Sequence, residues 1–256
     1  MIPFGDGSFA EGTSAAGRLD SALVADSLVI PARFNGPPDS GHGGYSAGCA
    51  AAFVDGPAEV ALRAPPPLDV ELAVEDGPDG VTVLREGRTI LEARPARIDL
   101  QAPRAVSMDE AIAAEPRSPF LDDTHPFPTC FACGPRRAAG DGLRLFAGPV
   151  AGRDAFAAAW TPAEEFGSDG TVDHLFVWAA LDCPSSAPAM GGATIVLASL
   201  AVDIRAPVAV GEPHVIVSWE IGRDGRKHRT GVALWDAAGS LCALGRALWI
   251  ELRPSK

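Results

Sequence analysis

The chain has 256 residues, 47% of them apolar and 21% charged, with a formal net charge of −12. That length holds one large domain or two of about 100–130 residues, each able to bury a core. The acidity argues against general nucleic-acid or anionic-membrane binding, which selects a basic surface.

No apolar run approaches the roughly 18 residues of a membrane span. The first twenty residues lack the basic start and apolar block of a secretory signal, so a cytoplasmic protein is expected. Five cysteines scattered over the chain fit reduced thiols better than a disulfide framework.

In chain order, a weak strand is expected over 28–34, then a glycine-headed helix over 42–54. Extended segments follow at 58–65, 68–77, 80–87 and 89–100. Leu68, Val70, Leu72 and Val74 alternate with polar residues as half-buried strands do, and the stretches GPDG and EGR read as hairpin turns. A polar, Pro-rich stretch over 102–128, containing one short helix, reads as a linker. The second half repeats the plan: strands at 141–150 and 154–160, a helix within 171–189 ending before Pro184, and strands at 194–207, 214–222, 227–239 and 240–252.

The tetrapeptides Leu-Arg-Ala-Pro at 62–65 and Ile-Arg-Ala-Pro at 204–207 each precede three antiparallel-looking strands, which points to an internal duplication. The expected organisation is an N-terminal unit (1–101), the linker (102–128) and a C-terminal unit (129–256). The expected class is α+β: two antiparallel sheets, each wrapped around a central helix that is apolar on nearly all sides.

The segment TCFACGPRRAAGDGLRLF (129–146) resembles the entry segment of hotdog-fold thioesterases of the phenylacetyl-CoA type. The stretch GHGGYSAGCAA resembles the His-Gly-Gly that heads the central helix in the same proteins. The doubled plan resembles a double hotdog, two such units fused in one chain. The resemblance spans most of residues 25–252.

It implies a site between the two units. The N-terminal end of one central helix would polarise the thioester carbonyl through free backbone N–H groups. A carboxylate on the other central helix would attack the carbonyl or deprotonate water. Carried over, His42, Gly43 and Gly44 match the His-Gly-Gly. The acid's place, nine residues on, holds Ala51 in the first helix, whereas Asp182 fills it in the second. There the His position is Asp173, followed by His174 and Leu175 in place of glycines. One composite site per chain is therefore expected, from Gly43, Gly44 and Asp182, with His42 as a positioning donor and the pseudo-equivalent site inactive. Ser185 and Ser186 are candidate hydroxyl contacts near the acid.

Locally, Gly43 and Gly44 also suit a tight turn into a helix, and Asp182 also suits a turn before Pro184. A carboxylate near a helix C-terminus opposes the helix dipole, however, which favours a functional role for it. Cys130 and Cys133 form a CxxC, with His125 as a third candidate ligand. A structural zinc needs four ligands, so no metal or other cofactor is expected and packing of the loop is the better reading. The basic run GRDGRKHRTG (222–231) offers Arg226, Lys227 and Arg229 to the phosphates of coenzyme A, with Arg136 and Arg137 as a second set; as plain chemistry the run is a solvated hairpin. No Gly-x-Ser-x-Gly elbow, P-loop or dinucleotide fingerprint occurs.

The expected activity is acyl-CoA thioester hydrolysis in a homo-oligomer, without nucleic-acid or membrane partners. The alternatives are a non-catalytic acyl-CoA-binding protein and a hydratase or dehydratase on the same fold.

Overall fold

The computed structural model describes residues 23–24 and 26–253; the N-terminal segment assessed above for a secretory signal lies outside them. The strands are β1 (Leu23–Val24), β2 (Ser27–Val29), β3 (Ala58–Leu62), β4 (Glu71–Gly77), β5 (Gly80–Arg85), β6 (Arg88–Pro95), β7 (Gly148–Pro149), β8 (Phe156–Trp160), β9 (Gly167–Ser168), β10 (Thr171–Val172), β11 (Ile195–Ile204), β12 (His214–Asp224), β13 (Lys227–Asp236) and β14 (Leu241–Glu251). The helices are α1 (Gly43–Ala51), α2 (Met108–Ala114) and α3 (His174–Ser186).

Twelve strands form one antiparallel sheet in the order β1-β2-β4-β5-β6-β3-β11-β14-β13-β12-β8-β7. Each half uses one sub-order: the strand after the helix, then the fourth, third and second of the meander, then the strand before the helix. The halves join where β3 pairs with β11, from Ala58 opposite Val202 to Ala61 opposite Ser199. The two Arg-Ala-Pro exits bond alike. Arg63 and Ala64 N–H donate to the Ile90 carbonyl at 2.8 and 3.4 Å, and Arg205 and Ala206 N–H donate to the Cys242 carbonyl at 2.7 and 3.2 Å.

The reason for the meander is local. The tight turn between β5 and β6 places Glu86 and Gly87 at φ 51° and 76°, the left-handed pair that matches the twist of a two-residue hairpin. At the turn between β4 and β5, Gly80 has φ 140°, and a Cβ there would stand 2.1 Å from the Ala93 carbonyl oxygen. Only glycine fits.

Helix α1 is buried along eight of its nine residues and α3 along twelve of thirteen. Both are apolar all round because sheet covers one side and the other helix covers another. Their contact is close and antiparallel: Gly44 of α1 faces Trp178 to Asp182 of α3, while Gly48 faces Leu175 and Trp178. Phe34, Tyr45, Phe131, Phe166 and Phe176 pack edge-on and stacked around this contact, with Phe34 and Tyr45 at a centroid distance of 4.1 Å.

Four expectations are corrected. The two expected sheets are one, continuous through the pairing of β3 with β11. Helix α3 continues through Pro184 to Ser186; the hydroxyls of Ser185 and Ser186 bond back to the Asp182 and Cys183 carbonyls at 2.7 and 2.8 Å and tighten this last turn. The strand expected over 141–150 shrinks to β7, because Leu143 and Leu145 bond through their N–H groups to Phe131 and Ala132, in the CxxC loop. The strand over 28–34 stops at Val29, and a 3-10 turn at Ala32–Phe34 follows. Within the 102–128 stretch the expected short helix is present as α2, closed by a capping box in which Ser107 and Glu110 bond each other's backbone N–H.

Candidate functional site

Helix α1 begins at Gly43, with His42 as its N-cap. The His42 Nδ1 accepts from the Tyr45 N–H at 3.2 Å, which places the ring proton of the neutral form on Nε2. Asp173 holds the corresponding N-cap place on α3, its carboxylate accepting from Leu175 N–H at 2.9 Å. The acid positions counted from these caps are Ala51 and Asp182.

The antiparallel packing brings Asp182 across the junction to the head of α1. Its Oδ2 accepts from the Gly44 N–H at 2.6 Å and lies 3.3 Å from His42 Nε2. Both side chains are at most 3% exposed. The approach depends on the glycines. A Cβ on Gly44 would stand 2.5 Å from both Asp182 Cβ and the Trp178 carbonyl oxygen, and one on Gly43 would stand 2.9 Å from Leu197 Cδ2. The helix N-terminus supplies free N–H groups and a partial positive charge to the carboxylate.

Burial pushes the Asp182 carboxyl up to about 6, against the pull of His42 and the Gly44 N–H. Burial works against the His42 imidazolium too, yet the facing Asp182 and Cys130 outweigh it and the His42 pKa rises. Asp182 Oδ1 is buried and accepts no hydrogen bond from the described residues, so one acceptor of this carboxylate is uncommitted.

The CxxC loop lies against the same place. Cys130 Sγ is 3.6 Å from Cys183 Sγ, Cys183 Sγ is 3.2 Å from His42 Nε2, and Cys133 Sγ is 3.4 Å from His125 Nε2. All five cysteines are free and buried. Sequence reasoning missed Cys183 as a neighbour of this loop, since 50 residues part it from Cys133. The one signal available was its place next to Asp182.

The other candidates are spread more widely. Ser185 Oγ donates to Asp182 O and accepts from Trp249 Nε1 at 3.0 Å, and Ser186 Oγ is engaged with Cys183 O. Both hydroxyls are buried and serve the helix end. Arg226 is bonded to the Glu251 carbonyl at 2.7 Å, and Arg223 and His228 hold the Glu251 carboxylate. Arg226, Lys227 and Arg229 are exposed on the β12–β13 hairpin, and no hydrogen bond or ion pair among the described residues joins them to Asp182, Gly43 or Gly44. Arg137 is spent on the Arg33, Thr129 and Asp141 carbonyls and on Asn35 Oδ1, tying the CxxC loop to the approach to α1.

Two surface hollows lie away from Asp182. One of about 390 Å³ is lined by Ala64, Pro65, Pro67 and Arg85 among others. One of about 300 Å³ sits at the head of α3, beside His174, Val177 and Pro207.

No protein-family model and no curated protein matches the chain. Solved structures do resemble it over most of its length. The tesB protein of Mycobacterium avium subsp. paratuberculosis superposes with a TM-score of 0.56 at 11% identity, over 89% of this chain and 92% of that one. A candidate thioesterase II from Thermobifida fusca gives 0.55 at 17% identity, over 89% and 92%. A candidate thioesterase from Novosphingobium aromaticivorans gives 0.55 at 16%, over 89% and 95%. The likeness and the long antiparallel sheet with buried helices establish a hotdog-like α+β fold. No helix among the described residues is long and apolar enough to cross a membrane.

Proposed function

We propose that the chain is a double hotdog that hydrolyses an acyl-CoA thioester at one composite site, built from the head of α1 and from Asp182 of α3. The observation that carries the reading is the 2.6 Å contact between Gly44 N–H and the Asp182 carboxylate, made across the two halves of the duplication. It joins the helix end proposed to bind the oxyanion to Asp182, the one buried carboxylate among the described residues. The names of the structural neighbours support the same class.

In the reaction the thioester carbonyl takes the Gly44 N–H that Asp182 Oδ2 now holds, and the released carboxylate turns to water. Water oxygen attacks the carbonyl carbon while its proton passes to Asp182. The tetrahedral oxyanion is stabilised at the helix end. Collapse breaks the C–S bond, and the departing thiolate recovers the proton. In the nucleophilic variant Asp182 itself attacks and the C–S bond breaks; water then cleaves the mixed anhydride at the Asp182 carbonyl, and one of its protons goes to the thiolate. Single turnover in ¹⁸O-water separates the two, because only the nucleophilic route labels Asp182. The exposed Arg226, Lys227 and Arg229 remain the proposed contacts to the phosphates of the coenzyme, and a homo-oligomer in the cytoplasm remains the proposed setting.

The test is turnover of a panel of short, branched and aromatic acyl-CoAs. Asp182→Asn keeps an acceptor for the Gly44 N–H but removes the base, so kcat should fall by at least about 10²-fold with acyl-CoA binding still measurable. An Asp182→Asn protein that still turns over at the wild-type rate overturns the assignment. The closure of the site favours a second reading, a non-catalytic acyl-CoA-binding protein: Asp182 is almost wholly buried and Leu197 covers Gly43. Binding without turnover in the wild type would select it.

A further inference from the structure

The CxxC loop and the end of α3 bring together more metal-ligating atoms than hydrolysis uses. Cys130 Sγ, Cys183 Sγ and His42 Nε2 all lie within 4.8 Å of one another, and all three residues are buried. The sulfur–sulfur edge is 3.6 Å and the Cys183–His42 edge is 3.2 Å. A tetrahedral zinc ion, with bonds of about 2.3 Å to sulfur and about 2.1 Å to nitrogen, spans edges of about 3.8 Å between sulfurs and about 3.6 Å from sulfur to nitrogen. These three atoms therefore stand near the spacing of three corners of such a tetrahedron.

Cys133, which stands outside that trio with its Sγ 3.4 Å from His125 Nε2, is the proposed fourth and would turn from His125 to the ion. The loop that carries it is wound tightly: Gly134 N–H donates to the Cys130 carbonyl at 2.9 Å, and Arg136 N–H donates to Pro128 at 2.9 Å. A Cβ on Gly134 would stand 2.5 Å from the Cys130 carbonyl oxygen and 2.8 Å from that of Pro128, so this winding needs glycine directly after the second cysteine. A C-x-x-C turn of this kind offers both sulfurs to one ion. The sequence alone offered two cysteines and one nearby histidine; the fold adds Cys183 and His42 from 53 residues later and 88 residues earlier.

The geometry points to a buried metal site of zinc type, with Cys130, Cys133, Cys183 and His42 as a Cys₃His set. Binding displaces the thiol protons. Ligation through His42 Nε2 moves the ring proton to Nδ1, and the 3.2 Å bond from Tyr45 N–H is given up. With four protein ligands the ion is structural. It clamps the CxxC loop to α3 and to the N-cap of α1, the parts that set Gly44 against Asp182. The site stands on its own ligand geometry; with the ion bound, His42 Nε2 no longer donates toward Asp182, and the hydrolase reading then rests on Gly44 and Asp182.

The experiment uses the full chain. Protein made in zinc-supplemented medium and purified without chelator is assayed for bound metal. It is then stripped with chelator under reductant and titrated with Co²⁺. About one zinc per chain is expected, and the stripped protein should give thiolate-to-cobalt charge-transfer bands that saturate at one equivalent. Cys130→Ser, Cys133→Ser and Cys183→Ser should each lower zinc content at least tenfold, while Cys242→Ser, outside the cluster, should keep it. The cobalt spectrum of the wild type decides the question even if a variant fails to fold. A reduced wild type that takes up no Co²⁺ overturns the site. So does a Cys130–Cys183 disulfide in the isolated protein with no metal uptake after reduction. Zinc retained in His42→Ala but lost in His125→Ala overturns the proposed ligand set.

Discussion

Asp182 is ionisable, almost completely buried, and opposed by one helix end and one histidine. Its carboxyl binds a proton more tightly in the folded chain, at about 6, than at its ordinary 3.8. The sign of the linkage follows. This group favours folding fully below pH 3.8, and that contribution is lost as the pH climbs through about 6. The raised pKa of His42 acts in the same direction. Asp182→Asn carries no such penalty, so in chelator-treated protein it should gain stability over the wild type between pH 4 and pH 7, by up to about 3 kcal/mol. Thermal melts of both proteins across that range check it; a constant difference in Tm would show that Asp182 is not held in its raised state. A buried charge kept at a net cost to stability is what a functional site looks like, so loss of turnover and gain of stability in one substitution would support the catalytic reading together.

The helices α1 and α3 show how far the sequence could be read and where it stopped. The nine-residue offset to Ala51 and Asp182 came with the family resemblance carried by the His-Gly-Gly, whereas their apolar circumference is a local pattern. The meander strands were legible for the same reason: alternation and turn glycines are properties of neighbouring residues. What was hidden is long-range. Nothing near Cys130 in sequence announces Cys183, and nothing in the serines after Asp182 says that their hydroxyls bond back to the helix and carry it through Pro184. The glycines at the head of α1 look like a binding loop in sequence, but in the structure they also let two helices meet at backbone distance. Gly44→Ala tests that second role. Its Cβ would meet Asp182 Cβ and the Trp178 carbonyl at 2.5 Å, and backbone cannot swing aside as a side chain can. The cost should be about 3 kcal/mol, read as a lowered denaturation midpoint. Gly191→Ala, which meets nothing within 4 Å, should stay within about 0.5 kcal/mol of the wild type.

At the scale of the whole molecule, the two halves share one strand order and one pair of Arg-Ala-Pro exits, yet the two ends of the helix pair have diverged. At the head of α1, glycines face a carboxylate. At the head of α3, the Leu175 N–H is taken by the Asp173 carboxylate, which also pairs with His174 at 3.1 Å, and the opposing helix offers Ala51. A thioester carbonyl brought to that end would meet a fixed negative charge, whereas at the other end the Gly44 N–H is the donor that Asp182 yields in the proposed reaction. The hollow of about 300 Å³ lies at this end, beside His174. The proposed reading has one functional site per chain. Calorimetric titration of Asp182→Asn with an acyl-CoA should give one equivalent bound per chain, and His174→Ala in the same background should leave the Kd within about twofold, a change of under about 0.5 kcal/mol. Two equivalents would overturn the single site, and binding lost with His174 would place the ligand at the α3 end and reverse the assignment of which half binds the carbonyl.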